Sequence, residues 1–273
     1  MSKQGLKWLE TSSVSVSGYS ADYLAAIPRS IARSDLNMPV CFGDDEWQGY
    51  EVSFLKASGC PAVAQLTFHL DMHTPHVVES KSLKLYLNGF NNKVFDDYNA
   101  VARLIEKDLS AVIGQPVAVQ LTPVTGQPIE FLDTSGWCSL DDLDPYCDLS
   151  LLKPDQSKLS YVDGANLHEK LCTRLFRANC LVTNQPDWAT VLIEYQGKPW
   201  NHEGLLQYLV SYRNYQAFHE KCIDKIYTDL MQVLQPDTLV VQGNFTRRGG
   251  IDISPIRACN PSYQRLAGRD WRQ

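Results

Sequence analysis

What this chain lacks already narrows its function. No stretch offers the roughly 18 consecutive apolar residues that a membrane helix needs, and the opening MSKQGLKWLE has no apolar segment behind its charges, as a secretory leader would. The cysteines, at 41, 60, 138, 147, 172, 180, 222 and 259, are scattered, with no C-x-x-C pair to suggest a zinc knuckle or dithiol motif. No G-x-G-x-x-G occurs, so a dinucleotide is not expected on a Rossmann domain. The formal charge of -6, from 25 Lys+Arg against 31 Asp+Glu, supplies no broad cationic field for a polyanion, and direct nucleic-acid binding is not expected. A local cationic pocket stays open to the chain. The expectation is a soluble, cytoplasmic protein with reduced thiols.

At 273 residues the chain has room for two domains of ordinary size. Laid on itself with a displacement of 122 residues, it shows a repeat: Leu83, Tyr86, Leu87 and Phe90 fall on Leu205, Tyr208, Leu209 and Tyr212. An amphipathic stretch follows each set. Val101, Ile105, Leu109 and Val112 in the first half, and Ile223, Ile226, Leu230 and Val233 in the second, are spaced as one helix face requires. The same displacement sets Val119-Gln120 on Val241-Gln242, each a short β-branched run before a loop. Strand-like runs precede the helices at 50–54, 65–70 and 190–195. Residues 133–160, rich in Asp, Ser, Pro and Cys without sustained period, read as a linker between an N-terminal unit, 1–132, and a C-terminal unit, 161–273.

Four motifs hold chemistry-bearing residues. Cys180-Leu-Val-Thr-Asn-Gln-Pro-Asp187 is turn-like and precedes a strand, where reactive groups tend to project. A cysteine there can serve as a nucleophile with Asp187 as proton carrier, although a lone cysteine is more often a small buried hydrophobe. Phe218-His219-Glu220 opens the second long helix. Glu220 there either favours the helix macrodipole or, with His219, recognises a guanine-like edge of N–H donors beside a carbonyl. Glu79-Ser-Lys-Ser-Leu-Lys-Leu-Tyr86 reads as a helix start with Ser80 or Ser82 as cap and solvated lysines; its counterpart starts at Asn201. The repeat keeps the apolar residues and changes the polar ones, so those polar residues are not needed for packing. In Asn244-Phe-Thr-Arg-Arg-Gly-Gly250, two cations beside two glycines suit either a phosphate contact or a cationic hairpin turn.

Together these motifs resemble the 7-cyano-7-deazaguanine reductases of the tunnelling-fold superfamily, and the resemblance covers essentially the whole chain. It implies an α+β fold of two tandem tunnelling-fold modules, each an antiparallel sheet with helices packed on one face. Leu181 stands where single-module relatives often have proline. The lysine run lies in the first half and the Cys180 run in the second, which implies one complete site per chain, formed between the halves. The implied activity is the NADPH-dependent, four-electron reduction of a nitrile to an aminomethyl group on the queuosine pathway of tRNA modification. Cys180 would form a covalent thioimide, Asp187 would donate the proton, and His219 would lie beside the reacting nitrogen. Glu79, Ser80, Lys81, His219 and Glu220 would hold the deazapurine. Lys81, Ser82, Arg248 and Gly249 would hold NADPH, with Ser80 nearby. The resemblance also implies association of chains, as a homodimer for a duplicated chain, and no resident metal. Two alternatives differ in class: a zinc enzyme with His69, His73 and His76 as ligands, and a non-catalytic purine-binding module.

Overall fold

The computed structural model describes residues 18–125 and 129–273; the opening ten residues read above lie outside them. A short strand β1 (Ala26–Pro28) and the single-turn helix α1 (Arg29–Ala32) lead into long strands β2 (Phe42–Leu55) and β3 (Pro61–Asp71). Strand β4 (His76–Val78), helices α2 (Ser80–Asn88) and α3 (Tyr98–Ile113), and strand β5 (Val119–Pro123) complete the first half. The second runs through β6 (Cys138–Ser139), β7 (Leu167–Asn179), β8 (Pro186–Gly197), α4 (His202–Val210), α5 (His219–Leu234), β9 (Thr238–Phe245) and β10 (Ile251–Ala258).

Local chemistry sets the helix ends. Asp97 caps α3 by accepting from the Ala100 N–H at 2.7 Å, and Gly114, at φ 84°, ends it in the left-handed conformation a glycine adopts without strain. The α3 stripe Val101, Ile105, Leu109 and Ile113 is wholly buried, as its spacing predicts. At α2 the structure corrects the sequence: the cap is Glu79, whose carboxylate accepts from the backbone N–H of Lys81 and of Ser82. A carboxylate one residue earlier reaches both orphan donors, which neither serine hydroxyl does.

The repeat is visible in three dimensions. α2 and α4 are displaced by the same 122 residues at both ends, and Leu83, Tyr86 and Phe90 are buried just as Leu205, Tyr208 and Tyr212 are. In each half the tyrosine hydroxyl donates to an aspartate of the long helix, Tyr86 to Asp108 and Tyr208 to Asp229, both at 2.7 Å. The hairpins β2–β3 and β7–β8 each carry one register shift, at Gly49/Val52 and Thr173/Phe176.

Eight strands join in one sheet of order β5-β3-β2-β10-β9-β8-β7-β6, antiparallel throughout except for the β6–β7 pair. Neither β7 nor β10 announced itself in the sequence: β7 mixes charges into its run, and β10 holds Pro255, which argues against a central strand. Pro255 is accommodated because it pairs only with Asp45 of β2; pairing with β9 begins at Ile256. β10 lies along β2 over Ile251–Ala258 and so welds the two halves. Two apolar cores result, one per half, and Ile251 and Ile253 of β10 belong to the first. The 133–160 connection is anchored through Leu140 and Leu159, both buried in the second core. Among the described residues no helix is long and apolar enough to cross a membrane.

Candidate active site

A cavity of about 300 Å³ draws on both halves. From the first come Glu79, Ser80, Lys81 and Lys84 at the start of α2; from the second come Cys180, Asp187, the start of α5 and the β9–β10 turn. Residues that the sequence scattered over about 170 positions thus share one concave surface.

The loop that carries Cys180 is tight and held from both sides. Its Cys180 N–H donates to Gln185 O at 2.8 Å, and the Asn184 N–H donates back to Cys180 O at 2.9 Å. Asn184 takes φ 55°, a left-handed conformation that asparagine tolerates better than most residues. Just before the loop, the Asn179 N–H donates to Tyr215 O and the Ala217 N–H to Asn179 O, which brings Phe218 and His219 alongside Cys180. Cys180 is half-buried, so its sulfur can be reached from the cavity.

Asp187, second in β8 and buried, accepts from the Arg248 guanidinium, whose other nitrogen reaches Thr183 Oγ1 at 3.2 Å and also bonds Gln185. His219 Nε2 stands 3.5 Å from the same carboxylate oxygen. This is an electrostatic contact without hydrogen-bond geometry: Nε2 is otherwise buried with no partner, and a ligand atom can take that place. The imidazole is seated against the Phe245 ring, centroids 4.3 Å apart. Burial pushes the Asp187 carboxyl up, but His219 and then Arg248 outweigh it, so the group lies below its ordinary value and is ionised at neutral pH. Arg248 is correspondingly raised: burial works against its charge, and Asp187, then the Cys180 sulfur, favour it more.

Two buried carboxyls mark the other side. Glu79 spends its oxygens on the α2 backbone, at 3.0 and 2.7 Å, yet each oxygen keeps a second lone pair toward the cavity. Glu220 lies in the first turn of α5 and is pushed up to about 7, by burial first and then by Asp45, with His219 pulling the other way. A carboxyl raised in the folded state stabilises the fold when protonated; the contribution is complete at acid pH and is lost as pH rises through about 7. We expect the melting temperature to fall between pH 6 and 8 by less in Glu220→Gln than in the wild type, as scanning calorimetry in matched buffers will read. Equal slopes would show that Glu220 is already ionised below that range.

Of the residues named from the sequence, Cys180, Asp187, His219, Glu79, Ser80, Lys81, Glu220, Arg248 and Gly249 line the cavity. Ser82 does not; it is buried under the helix start, its hydroxyl donating to Glu79 O at 2.6 Å. Lys84, read as solvated, is instead at the cavity wall, where burial and then Arg248 lower its pKa against the pull of Glu79, Cys180 and Asp187. Its spacing of three from Lys81 sets both on one helix side, a signal the sequence held. Trp47, Gln185 and Asp252 also line the cavity, and only strand pairing reveals them. His69, His73 and His76 do not converge: His69 Nδ1 faces Asp44 at 3.0 Å and His76 Nδ1 faces Ile113 O at 3.1 Å. Among the described residues they form no group of metal-binding spacing, which removes that zinc reading.

Comparison with known proteins bears on the same residues. Residues 16–121 match the family model described as nitrile reductase, 7-cyano-7-deazaguanine-reductase N-term, and residues 186–265 match that of QueF-like protein. An NADPH-dependent 7-cyano-7-deazaguanine reductase of Dechloromonas aromatica is 43% identical over 247 residues, 89% of this chain and 86% of that one. The chain belongs to the 7-cyano-7-deazaguanine reductase family. Its relative of the same description in Legionella pneumophila (strain Corby) is 45% identical over 249 residues, again 89% of this chain and 86% of the other. One from Burkholderia cenocepacia is 43% identical over 246 residues, 88% of each. Both segments that match the reductase family models contribute to the cavity, the first through Glu79 to Lys84 and the second through Asp187, His219, Glu220 and Arg248.

Proposed function

We propose that this chain reduces the nitrile of 7-cyano-7-deazaguanine to the aminomethyl group with NADPH, as an oxidoreductase of queuosine biosynthesis. The observation that carries this reading is one cavity in which a reachable thiol, an ionised aspartate, a histidine with an unpartnered nitrogen and two buried carboxyls converge. A nitrile carbon is a poor hydride acceptor, and addition of sulfur first makes it a better one.

The Cys180 sulfur adds to the nitrile carbon to form a thioimide, a C–S bond replacing one π bond of the C≡N group. Because Asp187 is ionised beside Arg248 and His219, it takes the Cys180 proton and passes it to the nitrile nitrogen. NADPH, when bound, supplies hydride, twice for each nitrile. After the first reduction the sulfur leaves as thiolate, and the imine nitrogen remains beside His219 and Asp187 for the proton that the amine needs. Glu79 and Glu220 hold the purine by accepting from its N–H edge. The cofactor fits the residues present: Lys81, Lys84 and Arg248 give the cavity a cationic side, and Gly249, at φ 59°, bares backbone beside it. Lys81, Arg248 and Gly249 would hold the cofactor, with Ser82 shaping the helix start beneath them.

The chain is read as modules 1–132 and 161–273 joined by 133–160, of tunnelling-fold type, acting in the cytoplasm. Two chains would associate as a homodimer, since β5 and β6 each end the sheet with an unpaired edge that a second copy can cover.

The test is NADPH oxidation followed by absorbance, with 7-cyano-7-deazaguanine as substrate. Two NADPH consumed per nitrile, with none in the absence of substrate, is the expected result; a well-folded protein that oxidises none overturns the reading in favour of a purine-binding module. Asp187→Asn is expected to lower kcat by about 10²–10⁴-fold, while equilibrium dialysis finds the substrate still bound. Glu220 must be ionised to accept N–H donors, so substrate affinity in Cys180→Ala, where no covalent bond forms, is expected to rise with pH through about 7. Isothermal titration across that range reads it.

A further inference from the structure

We propose that Cys138, Glu169 and His202 form a binding site for a divalent transition-metal ion of zinc type, separate from the active cavity. One ligand atom from each of the three lies within 4.8 Å of the others, and among the described residues no other group of His, Cys, Asp and Glu has that spacing. They come from three separate stretches: Cys138 from β6 at the end of the sheet, Glu169 from β7, and His202 from the first turn of α4. Because Cys138 pairs with Leu171 in parallel register, Glu169 lies two residues along the neighbouring strand, on the same side of the pleat.

The carboxylate is held in place before any ion arrives. Tyr195, its cross-strand partner, donates its hydroxyl to Glu169 Oε2 at 2.7 Å, and His202 Nε2 is 3.1 Å from the same oxygen. Tyr195 is itself fixed: its oxygen accepts the Trp200 N–H at 3.2 Å, and its ring stacks on Trp200 with centroids 3.6 Å apart. A ligand carboxylate oriented by a buried phenol is the outer-shell arrangement that tunes metal sites. Thiolate, imidazole and carboxylate together suit zinc or cobalt and not calcium or magnesium, which take oxygen donors. Three protein ligands leave a fourth, tetrahedral position to water. On binding, the Cys138 thiol releases its proton to solvent and the sulfur bonds the ion as thiolate. None of the three residues lines the active cavity, so the ion takes no part in the reduction. It acts as a clip: β6 is held to β7 by only two residue pairs, and a metal cross-link fastens that edge strand to β7 and α4.

Cobalt(II) titrated into the reduced, metal-free full chain tests this. One equivalent is expected to raise a thiolate-to-cobalt charge-transfer band and the visible bands of a tetrahedral ion, displaced by zinc. The band is expected to be lost in Cys138→Ser, which keeps NADPH oxidation at the wild-type level, and to survive in Cys180→Ala. His202→Ala is expected to lose it as well, and Tyr195→Phe, which keeps the ring, to weaken binding about 10–100-fold. No band in the wild type, or a band that persists in Cys138→Ser, overturns the proposal.

Discussion

Replacing Cys180 by alanine is expected to remove NADPH oxidation altogether, a loss on the order of 10⁶ by analogy with the removal of other covalent nucleophiles. The sulfur is the only group at the cavity wall able to add to the nitrile carbon; Asp187 and His219 move protons, and neither helps until the C–S bond exists. The side chain is half-buried in a loop whose bonds are backbone to backbone, so the variant is expected to melt within a degree or two of the wild type. Intact-mass spectrometry without NADPH reads the same step directly. The wild type is expected to gain the mass of one substrate, and Cys180→Ala none. A variant that kept turnover would place the covalent step elsewhere, and the thioimide course would fail with it.

Arg257→Ala is expected to produce the largest loss of stability of any single change. Arg257 is fully buried in β10, its Nη2 2.8 Å from Asp45 of β2 and its Nε 2.5 Å from Asp224 of α5. Arg29 joins Asp45 at 2.7 Å and Arg33 joins Asp224 at 2.7 Å, so five buried or half-buried charges run in an alternating chain across the weld between the halves. Burial raises the Asp45 carboxyl, and Arg257 then Arg29 more than reverse this; both partners remain charged at neutral pH. Removing one member leaves buried charge short of a partner, at a cost of about 3–5 kcal/mol. For a chain of this size that lowers the melting temperature by roughly 10 °C, as thermal unfolding followed by circular dichroism will measure. A change of only a degree or two would show that water replaces the guanidinium. Arg257→Met, which fills the volume without the charge, is expected to fall between the two.

Some elements were legible because their signal is local. The apolar spacing of Val101 to Leu109 and of Ile223 to Leu230 needs only the helical period, and both stretches are helices buried on that face. The repeat was legible for the same reason, since a displacement of 122 residues aligns two patterns that each half carries alone. β10 was not legible: Pro255 reads as a break, and only the one-sided pairing with β2 at that point allows it. Lys84 misled because a lysine in an amphipathic helix is usually solvated, whereas here the β9–β10 turn closes over it.

The residue types that do the chemistry, Cys180, Asp187, His219 and the two glutamates, were present in the sequence as motifs, and so was their division between two halves. Their convergence was not, nor was the state of Asp187. That carboxyl is ionised only because His219 and Arg248 stand beside it, and they arrive there through β-strands paired across separations no local pattern can encode. Periodicity reports on the few residues within reach of one turn or one pleat; contacts between β2 and β10, some 200 residues apart, depend on burial and strand pairing that exist only once the whole chain has folded.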